Sequence, residues 1–436
     1  MTATRHLESP TFVPVAPVRL RHRAGRLLSV ARTVARHTAG AAVDALPGVR
    51  RRAAGPAEPR WSRLVSDLGP TYVKGAQLLS TRKDLLPERW CRALGRLHDR
   101  VAPMTDRQLD LALALAYPSS RPFPFAAFDR EPAASGSIAC VYRATLHDGS
   151  AVAVKLRRPG IEALMRADFA LLRTGARWVQ RVPAMRKVPA ARVVDQLGAA
   201  LLRQLDLALE ADALARLRTN LADLDFVRIP DPLPAVSGEG ALAMEFLEPL
   251  VRFVPGDFRR EPRRQIVRNV LQCVYRMLFI DGLVHCDMHP GNLYLDRDGS
   301  VVLLDAGFVV QLEPKVRLLF ARFFMNLSLG RAAECAEVVL SSAEHVPLDC
   351  DLAGFRADIE RLVDESTGKT AGQFRLAPFA ARLFDIQRRS GVAAAPEFVF
   401  PLMSLLVLEG MINDFDVDVD FQGEAIPTLL VALNRY

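Results

Sequence analysis

Asp287, Asn292 and Asp305 follow one another in Leu283-Val-His-Cys-Asp-Met-His-Pro-Gly-Asn-Leu-Tyr-Leu295, an Asp-Gly turn region, and Val301-Val-Leu-Leu-Asp-Ala-Gly307. Two carboxylates and an amide offer the hard oxygen ligands that Mg2+ prefers. Asp287 and Asn292 are five residues apart, the spacing of a kinase catalytic loop, whose aspartate faces the attacking hydroxyl and whose asparagine holds metal. Asp305 opens an Asp-Ala-Gly triplet straight after an apolar run, where the metal-holding carboxylate is expected. Upstream, Ala151-Val-Ala-Val-Lys155 reads as a strand carrying a lysine. An ammonium on an apolar strand is costly to bury unless anions meet it, and ATP phosphates with a helix glutamate would supply them. Glu210 is the expected partner, with Asp206 one turn earlier on the same helix face. This order of residues predicts an ATP and Mg2+ site with Asp287, Lys155 and Glu210 in catalytic roles and Asn292 and Asp305 on the metal.

Other positions carry weaker signals. Ala134, Ser135, Gly136 and Ser137 precede the first strand pair, where small residues let backbone N–H groups approach phosphate. The segment holds one glycine and is not a G-x-G-x-x-G loop. Leu242–Leu247 is a short apolar run expected to join two lobes, with Glu245 and Leu247 expected at the nucleotide. His285 and His289 flank Asp287; they read either as braces of the loop or, with Asp287, as a zinc set that no further ligand cluster supports. Cys140 and Cys286 read as small buried residues.

These side chains need a sheet below and helices around them. Ile138–Leu146 and Ala151–Leu156 predict two strands around the turn His147-Asp-Gly-Ser150. Helices are expected at about 161–181 and 191–221, and from Arg263 to a stop near Gly282. A second hairpin surrounds Asp296-Arg-Asp-Gly-Ser300. After Glu313 the pattern is helical, with breaks at Pro347, Pro378 and Pro396. Residues 61–115 read as helical and 116–135, with Pro118, Pro122, Pro124 and Pro132, as a loop. Asp305 is followed by Pro314 and then a helical pattern, which leaves no room for a peptide-docking segment ending in Ala-Pro-Glu.

Composition narrows the class. The chain has 436 residues, half of them hydrophobic, and a net charge of +8. The six cysteines are scattered, which favours a reducing compartment over a disulfide framework. No run approaches the roughly 20 apolar residues that span a bilayer; the longest, Phe398–Leu408, contains Pro401 and Ser404 and reads as a buried helix. Arg19 to Arg52 holds nine arginines and one acid, Asp44. Leu27, Val30, Ala31 and Val34 share a helical face there. That segment reads as a helix on an anionic membrane surface, a basic leader, a helix packed on the body, or a transit peptide.

The residues above, with Leu68-Gly-Pro-Thr-Tyr-Val-Lys-Gly-Ala-Gln-Leu-Leu-Ser-Thr-Arg-Lys-Asp-Leu-Leu-Pro87, Val152-Ala-Val-Lys-Leu-Arg-Arg-Pro-Gly-Ile161 and Leu406-Val-Leu-Glu-Gly410, resemble the UbiB/AarF-type atypical protein-kinase-like family. The resemblance spans roughly residues 61–430. It implies that Lys74 and Gln77 lie in a helical extension folded over the active site as a lid, that Asp206 pairs with Lys74, and that Glu210 pairs with Lys155. It also implies ATPase-like activity and a link to ubiquinone and other prenyl-lipid metabolism. The chain departs from the family pattern at Ala76 in K-x-G-Q, Gln204 in E-x-D, Ser135-Gly136 in the alanine-rich loop and Ala306 in D-F-G.

The expectation is therefore an α+β, two-lobed protein-kinase-like fold with an N-terminal helical extension and a largely helical C-lobe. The divisions are a basic leader (1–60), the extension (61–130), the N-lobe (131–247) and the C-lobe (248–436). The expected function is an ATP- and Mg2+-dependent atypical kinase or ATPase in isoprenoid-quinone or lipid metabolism. Its expected partners are a nucleotide, an anionic membrane surface and a prenyl-lipid or quinone precursor, with no nucleic acid; its expected place is the cytoplasm or the inner membrane face. The alternatives are a small-molecule phosphotransferase of the aminoglycoside- or choline-kinase kind and a nucleotide-gated lipid-binding or chaperone module.

Overall fold

The structure, a computed structural model, describes residues 20–44, 60–81, 90, 93–94, 102–181, 190–253, 260–288, 291–366, 375–415 and 419–435. Helices α1 (Leu20–Asp44), α2 (Arg60–Leu68), α3 (Pro70–Thr81) and α4 (Asp106–Ala116) come first. They lead into strands β1 (Phe125–Ser135), β2 (Ala139–Leu146) and β3 (Ala151–Arg157). Next come α5 (Ile161–Val179), α6 (Ala190–Arg203), α7 (Leu207–Asn220), β4 (Val227–Arg228) and β5 (Ala241–Glu245). The N-lobe sheet runs β1-β2-β3-β5, antiparallel throughout. Val152, Val154 and Leu156 of β3 are buried on one face with Tyr142, Ala243 and Leu109, the period of two that a half-covered sheet demands. Lys155 points to the other face, opposite Val141 and Leu242.

Two expectations are corrected here. The proline-rich stretch 116–135 is not all loop, because Phe125–Ser135 is a strand. It lies at the sheet edge and its register shifts on both sides of Pro132, which is where a residue without an N–H is tolerated. The sheet thus begins at Phe125, inside the segment assigned to the extension. The helix expected over 191–221 is two helices. Asp206 adopts an extended conformation and its Oδ1 accepts from the N–H groups of Ala208 and Leu209 at 3.1 and 3.3 Å. An aspartate that caps the next helix breaks the preceding one. Asp206 is thus the N-cap of α7, its carbonyl accepts from the Glu210 N–H at 3.3 Å, and Glu210 lies in the first turn of α7.

The C-lobe follows: β6 (Val251–Arg252), α8 (Arg260–Tyr275) and a π-helical turn (Arg276–Asp281) that ends at Gly282 with φ +73°. The strands β7 (Leu283–His285), β8 (Leu293–Leu295), β9 (Val301–Leu303) and β10 (Val309–Gln311) carry Asp287, Asn292 and Asp305 between them. Helices α9 (Pro314–Ser328), α10 (Ala332–Ser341), α11 (Leu352–Asp364), α12 (Leu376–Ser390), α13 (Pro396–Asp414) and α14 (Ile426–Leu433) complete the lobe. Pro378 and Pro396 fall in the first turns of α12 and α13, where a missing N–H costs little. One buried core joins α8, β7–β9 and α9–α14, and α7 packs into it through Leu207, Leu214 and Leu217. Glu409 on α13, itself buried, accepts from the N–H groups of Leu376 and Ala377 at 2.6 and 2.7 Å. A carboxylate from one helix thus caps the positive end of another.

Helix α1 packs on α5 through Arg26, whose Nε and Nη2 donate to Asp168 at 2.5 and 3.1 Å. Asp168 is fully buried, and Arg26 also donates to the Leu68 carbonyl. Arg36 and His37 reach Asp67 of α2 at 3.2 and 2.9 Å. Within residues 24–39 of the helix, Arg26, Val30, Thr33 and His37 are the partly buried positions. The apolar face expected from the sequence is thus split: Val30 turns to the body, while Leu27, Leu28 and Val34 are 55%, 54% and 38% exposed.

Candidate active site

Lys155 Nζ donates to Glu210 Oε1 and Oε2 at 2.7 and 2.9 Å and to Asp305 Oδ2 at 2.8 Å. β3 brings the lysine, the first turn of α7 the glutamate, and the segment after β9 the aspartate. Burial disfavours the Lys155 charge, but Asp305 and Glu210 outweigh it and hold the ammonium above its ordinary value. Burial, followed by the nearby Asp305 charge, pushes the Glu210 carboxyl up to about 7 against the pull of Lys155. Burial also opposes ionisation of Asp305, yet Lys155 and the Gly307 N–H hold its carboxyl below the usual range. One ammonium thus serves two carboxylates, and Asp305 stays ionised.

Asp305 Oδ1 accepts from Gly307 N at 2.8 Å. A Cβ at Gly307 would lie 3.0 Å from that same oxygen and 3.5 Å from Glu210 Oε2, so the third residue of the triplet must be small. Asn292 is buried, and its Nδ2 donates to the Asp287 carbonyl at 2.9 Å and to Asp287 Oδ2 at 3.3 Å. The amide nitrogen is turned to the loop, which leaves Oδ1 as the atom for a cation. A carboxylate kept ionised and an amide oxygen form a donor set that fits Mg2+.

His285 fixes the loop. Its Nδ1 accepts from Asp287 N at 3.2 Å and its Nε2 bonds the Asp305 carbonyl, so the tautomer carries its proton on Nε2. Both ring nitrogens are used by the backbone, which excludes His285 from a zinc set; His289 lies outside the described residues. Ser404 of α13 donates to the His285 carbonyl at 3.0 Å. Cys286 N donates to Phe308 O at 2.9 Å, and β10 pairs with β7 through Val309 and His285. The chain after Asp305 therefore turns straight back along β7 and enters α9. Burial pushes the Cys286 thiol well above its ordinary value, the state of a packing residue and not of a nucleophile.

The remaining expected positions are placed as follows. Ala134 and Ser135 end β1, and Gly136 and Ser137 form the turn into β2. The Glu245 side chain pairs with Arg228 at 2.7 Å, while Leu247 is buried beyond the end of β5. Lys74 and Gln77 lie on α3, which packs against α5 and α6. The Asp206 carboxylate, which the family resemblance pairs with Lys74, accepts from the N–H groups of Ala208 and Leu209 at the start of α7. Arg158 and Ser404 were not expected. Arg158 follows β3 and donates to the carbonyl of Gly136 at 2.9 Å and to Ser135 Oγ at 3.0 Å. The pair Arg157-Arg158 before Pro159-Gly160 gave no sign of which arginine turns inward.

The family model of the ABC1 atypical kinase-like domain matches residues 96–339, more than half of the chain. The Synechocystis sp. protein slr0889, described as uncharacterized, is 28% identical over 340 residues, covering 75% of this chain and 83% of its own. The solved complex of Rv3197 with erythromycin, from Mycobacterium tuberculosis, superimposes with a TM-score of 0.56 at 19% identity, covering 83% of this chain and 92% of that one. At that identity the likeness concerns the fold. With the matching domain covering more than half of the chain and including every element of the cluster around Lys155, this chain belongs to the ABC1 atypical kinase-like family, the UbiB family.

Proposed function

We propose that the chain binds Mg·ATP between its lobes and cleaves the γ-phosphoryl group as an ATPase or small-molecule-directed kinase, in the service of isoprenoid-quinone or lipid metabolism. The observation that carries this reading is the triad Lys155, Glu210 and Asp305, faced by Asp287 and Asn292. In the proposed roles, Lys155 holds the α- and β-phosphates and is itself held by Glu210. Asn292 and Asp305 hold Mg2+, which neutralises charge on the phosphates. Asp287, its backbone fixed by His285 and Asn292, orients the attacking water or hydroxyl. The link to quinones rests on the family resemblance. The short return from Asp305 to α9 supports an acceptor other than a peptide. A small-molecule acceptor is the second reading, favoured by the erythromycin complex of a protein of the same fold. The test is ATP hydrolysis with and without anionic liposomes, prenyl-phenol headgroup analogues and erythromycin. Stimulated phosphate release supports the first reading, and a phosphorylated small molecule the second. No Mg2+-dependent turnover under any condition leaves only a lipid-binding module.

Helix α1 supports a peripheral membrane site. None of the described helices is long and apolar enough to cross a bilayer. Docking through its polar face leaves Leu27, Leu28 and Val34 outward, beside exposed Arg32 and Arg36 on a helix with no acid before Asp44. That face fits an anionic lipid surface, where each arginine contributes about 1 kcal/mol, screened by salt. Leu27→Ser/Leu28→Ser/Val34→Ser is expected to reduce co-sedimentation with phosphatidylglycerol vesicles several-fold, and raised salt to do the same. Sedimentation equal to wild type, or a wild-type dimer that the triple variant abolishes, would contradict a membrane as the occupant.

A further inference from the structure

The nucleotide loop has one glycine, and an arginine supports it. β3 ends at Arg157, and Arg158 N continues the ladder by donating to Ile138 O at 2.9 Å. Pro159 and Gly160, the latter at φ +75°, then turn the chain into α5. The Arg158 side chain folds back beneath the loop. Its Nε donates to Gly136 O at 2.9 Å, and its Nη2 donates to Ser135 Oγ at 3.0 Å and to Ala102 O at 2.7 Å. Two adjacent loop residues and the segment leading into α4 thus converge on one guanidinium. Gly136 N is bonded to Ala139 O at 2.9 Å, and a Cβ at Gly136 would crowd that oxygen at 3.3 Å.

The Gly136 carbonyl aims at Arg158. In a trans peptide the N–H of the next residue points the opposite way, so Ser137 N–H is directed away from the guanidinium. Without that anchor the Gly136–Ser137 peptide loses the bond that fixes its orientation, and the glycine leaves ψ at 136 weakly restrained. A rotated carbonyl would face the anionic ligand in place of the N–H. We propose that Arg158 is a positioning residue for the nucleotide phosphates: its guanidinium fork sets the orientation of the Ser135–Ser137 backbone and ties it to the chain at Ala102. The proposal rests on the ATP reading of the site. It assigns to a side chain the rigidity of a loop that lacks the other two glycines of G-x-G-x-x-G. A lysine cannot replace it, because a compact ammonium lacks the planar fork that spans Gly136 O, Ser135 Oγ and Ala102 O together.

The test uses the full chain and displacement of a mant-labelled ADP by ATP and by adenosine, in Mg2+. Wild type, Arg158→Lys and Arg158→Ala are compared. Both variants are expected to bind ATP about tenfold more weakly or worse, on the scale of a lost charge-assisted hydrogen bond. Adenosine, which has no phosphates, is expected to stay within about twofold of wild type in both, because the proposed role acts on phosphate only. Added ethylguanidinium is expected to recover part of the ATP affinity of Arg158→Ala. Arg158→Lys keeps the charge and the stem, so it guards against a variant that fails to fold. An unchanged ratio of ATP to adenosine affinity in Arg158→Lys would overturn the proposal while leaving the site reading intact. Equal losses for both ligands would reduce Arg158 to a general structural role and overturn it too. Failure of wild type to bind ATP at all would overturn the site reading and this proposal together.

Discussion

Asp305→Asn is expected to weaken Mg·ATP binding by about 1.5–3 kcal/mol, the worth of a hydrogen bond or contact to a charged group, or roughly tenfold to a hundredfold in Kd. The substitution keeps the shape of the side chain and its acceptor for Gly307 N–H. It removes the charge that Lys155 and Gly307 hold in the ionised state. Asn292, turned by its own bonds to Asp287, would be left as the remaining metal ligand. Calorimetry in Mg2+ and in EDTA separates the two consequences: the loss should be large with Mg2+ and much smaller without it. Unchanged Mg·ATP affinity in a well-folded variant would refute the metal assignment.

Lys155→Met is expected to cost stability as well as turnover. Glu210 is buried, and Lys155 is its bidentate partner at 2.7 and 2.9 Å. Removing one member of a buried ion pair costs about 3–5 kcal/mol, and Glu210, already held up to about 7 by burial, must then either stay charged in a poor solvent or take up a proton. Here two carboxylates, Glu210 and Asp305, lose the same cation. Urea denaturation should register the loss, and ATP hydrolysis should fall to background. Lys155→Met/Glu210→Gln should regain part of the stability and none of the turnover, since it removes the stranded charge without restoring a phosphate ligand. A single variant as stable as wild type would mean that the cluster is solvated and not buried.

Much of this site was legible because its chemistry dictates local sequence. An asparagine five residues after an aspartate, a carboxylate at the head of Asp-Ala-Gly and a lysine amid Ala-Val-Ala-Val are visible without a fold. The hairpins were legible through Asp-Gly turns and the period of two. The illegible parts depend on distant contacts. β1 was hidden because Pro132 suggests a loop, and only a sheet edge with shifted register accommodates it. The break at Asp206 was hidden because an aspartate inside a helical pattern looks like a solvated face until its side chain is seen to cap the following turn. Val30 looked like part of an outward apolar stripe, but Arg26 decides the rotation of α1 by reaching the buried Asp168. Glu409, which stood out in sequence as part of a motif, owes its place to two N–H groups at the start of another helix. Arg158 and Ser404 act on backbone carbonyls far away in the chain, and no spacing rule announces that.

The most direct test of the account follows the fate of γ-labelled ATP given to wild-type protein and to Asp287→Asn, each with Mg2+ or EDTA, in the presence of a peptide library. The account predicts Mg2+-dependent release of labelled phosphate, or its transfer to a non-peptide acceptor, by wild type alone, with the peptides unlabelled. Turnover by Asp287→Asn equal to wild type, turnover indifferent to Mg2+, or stoichiometric and sequence-selective labelling of the peptides would contradict it.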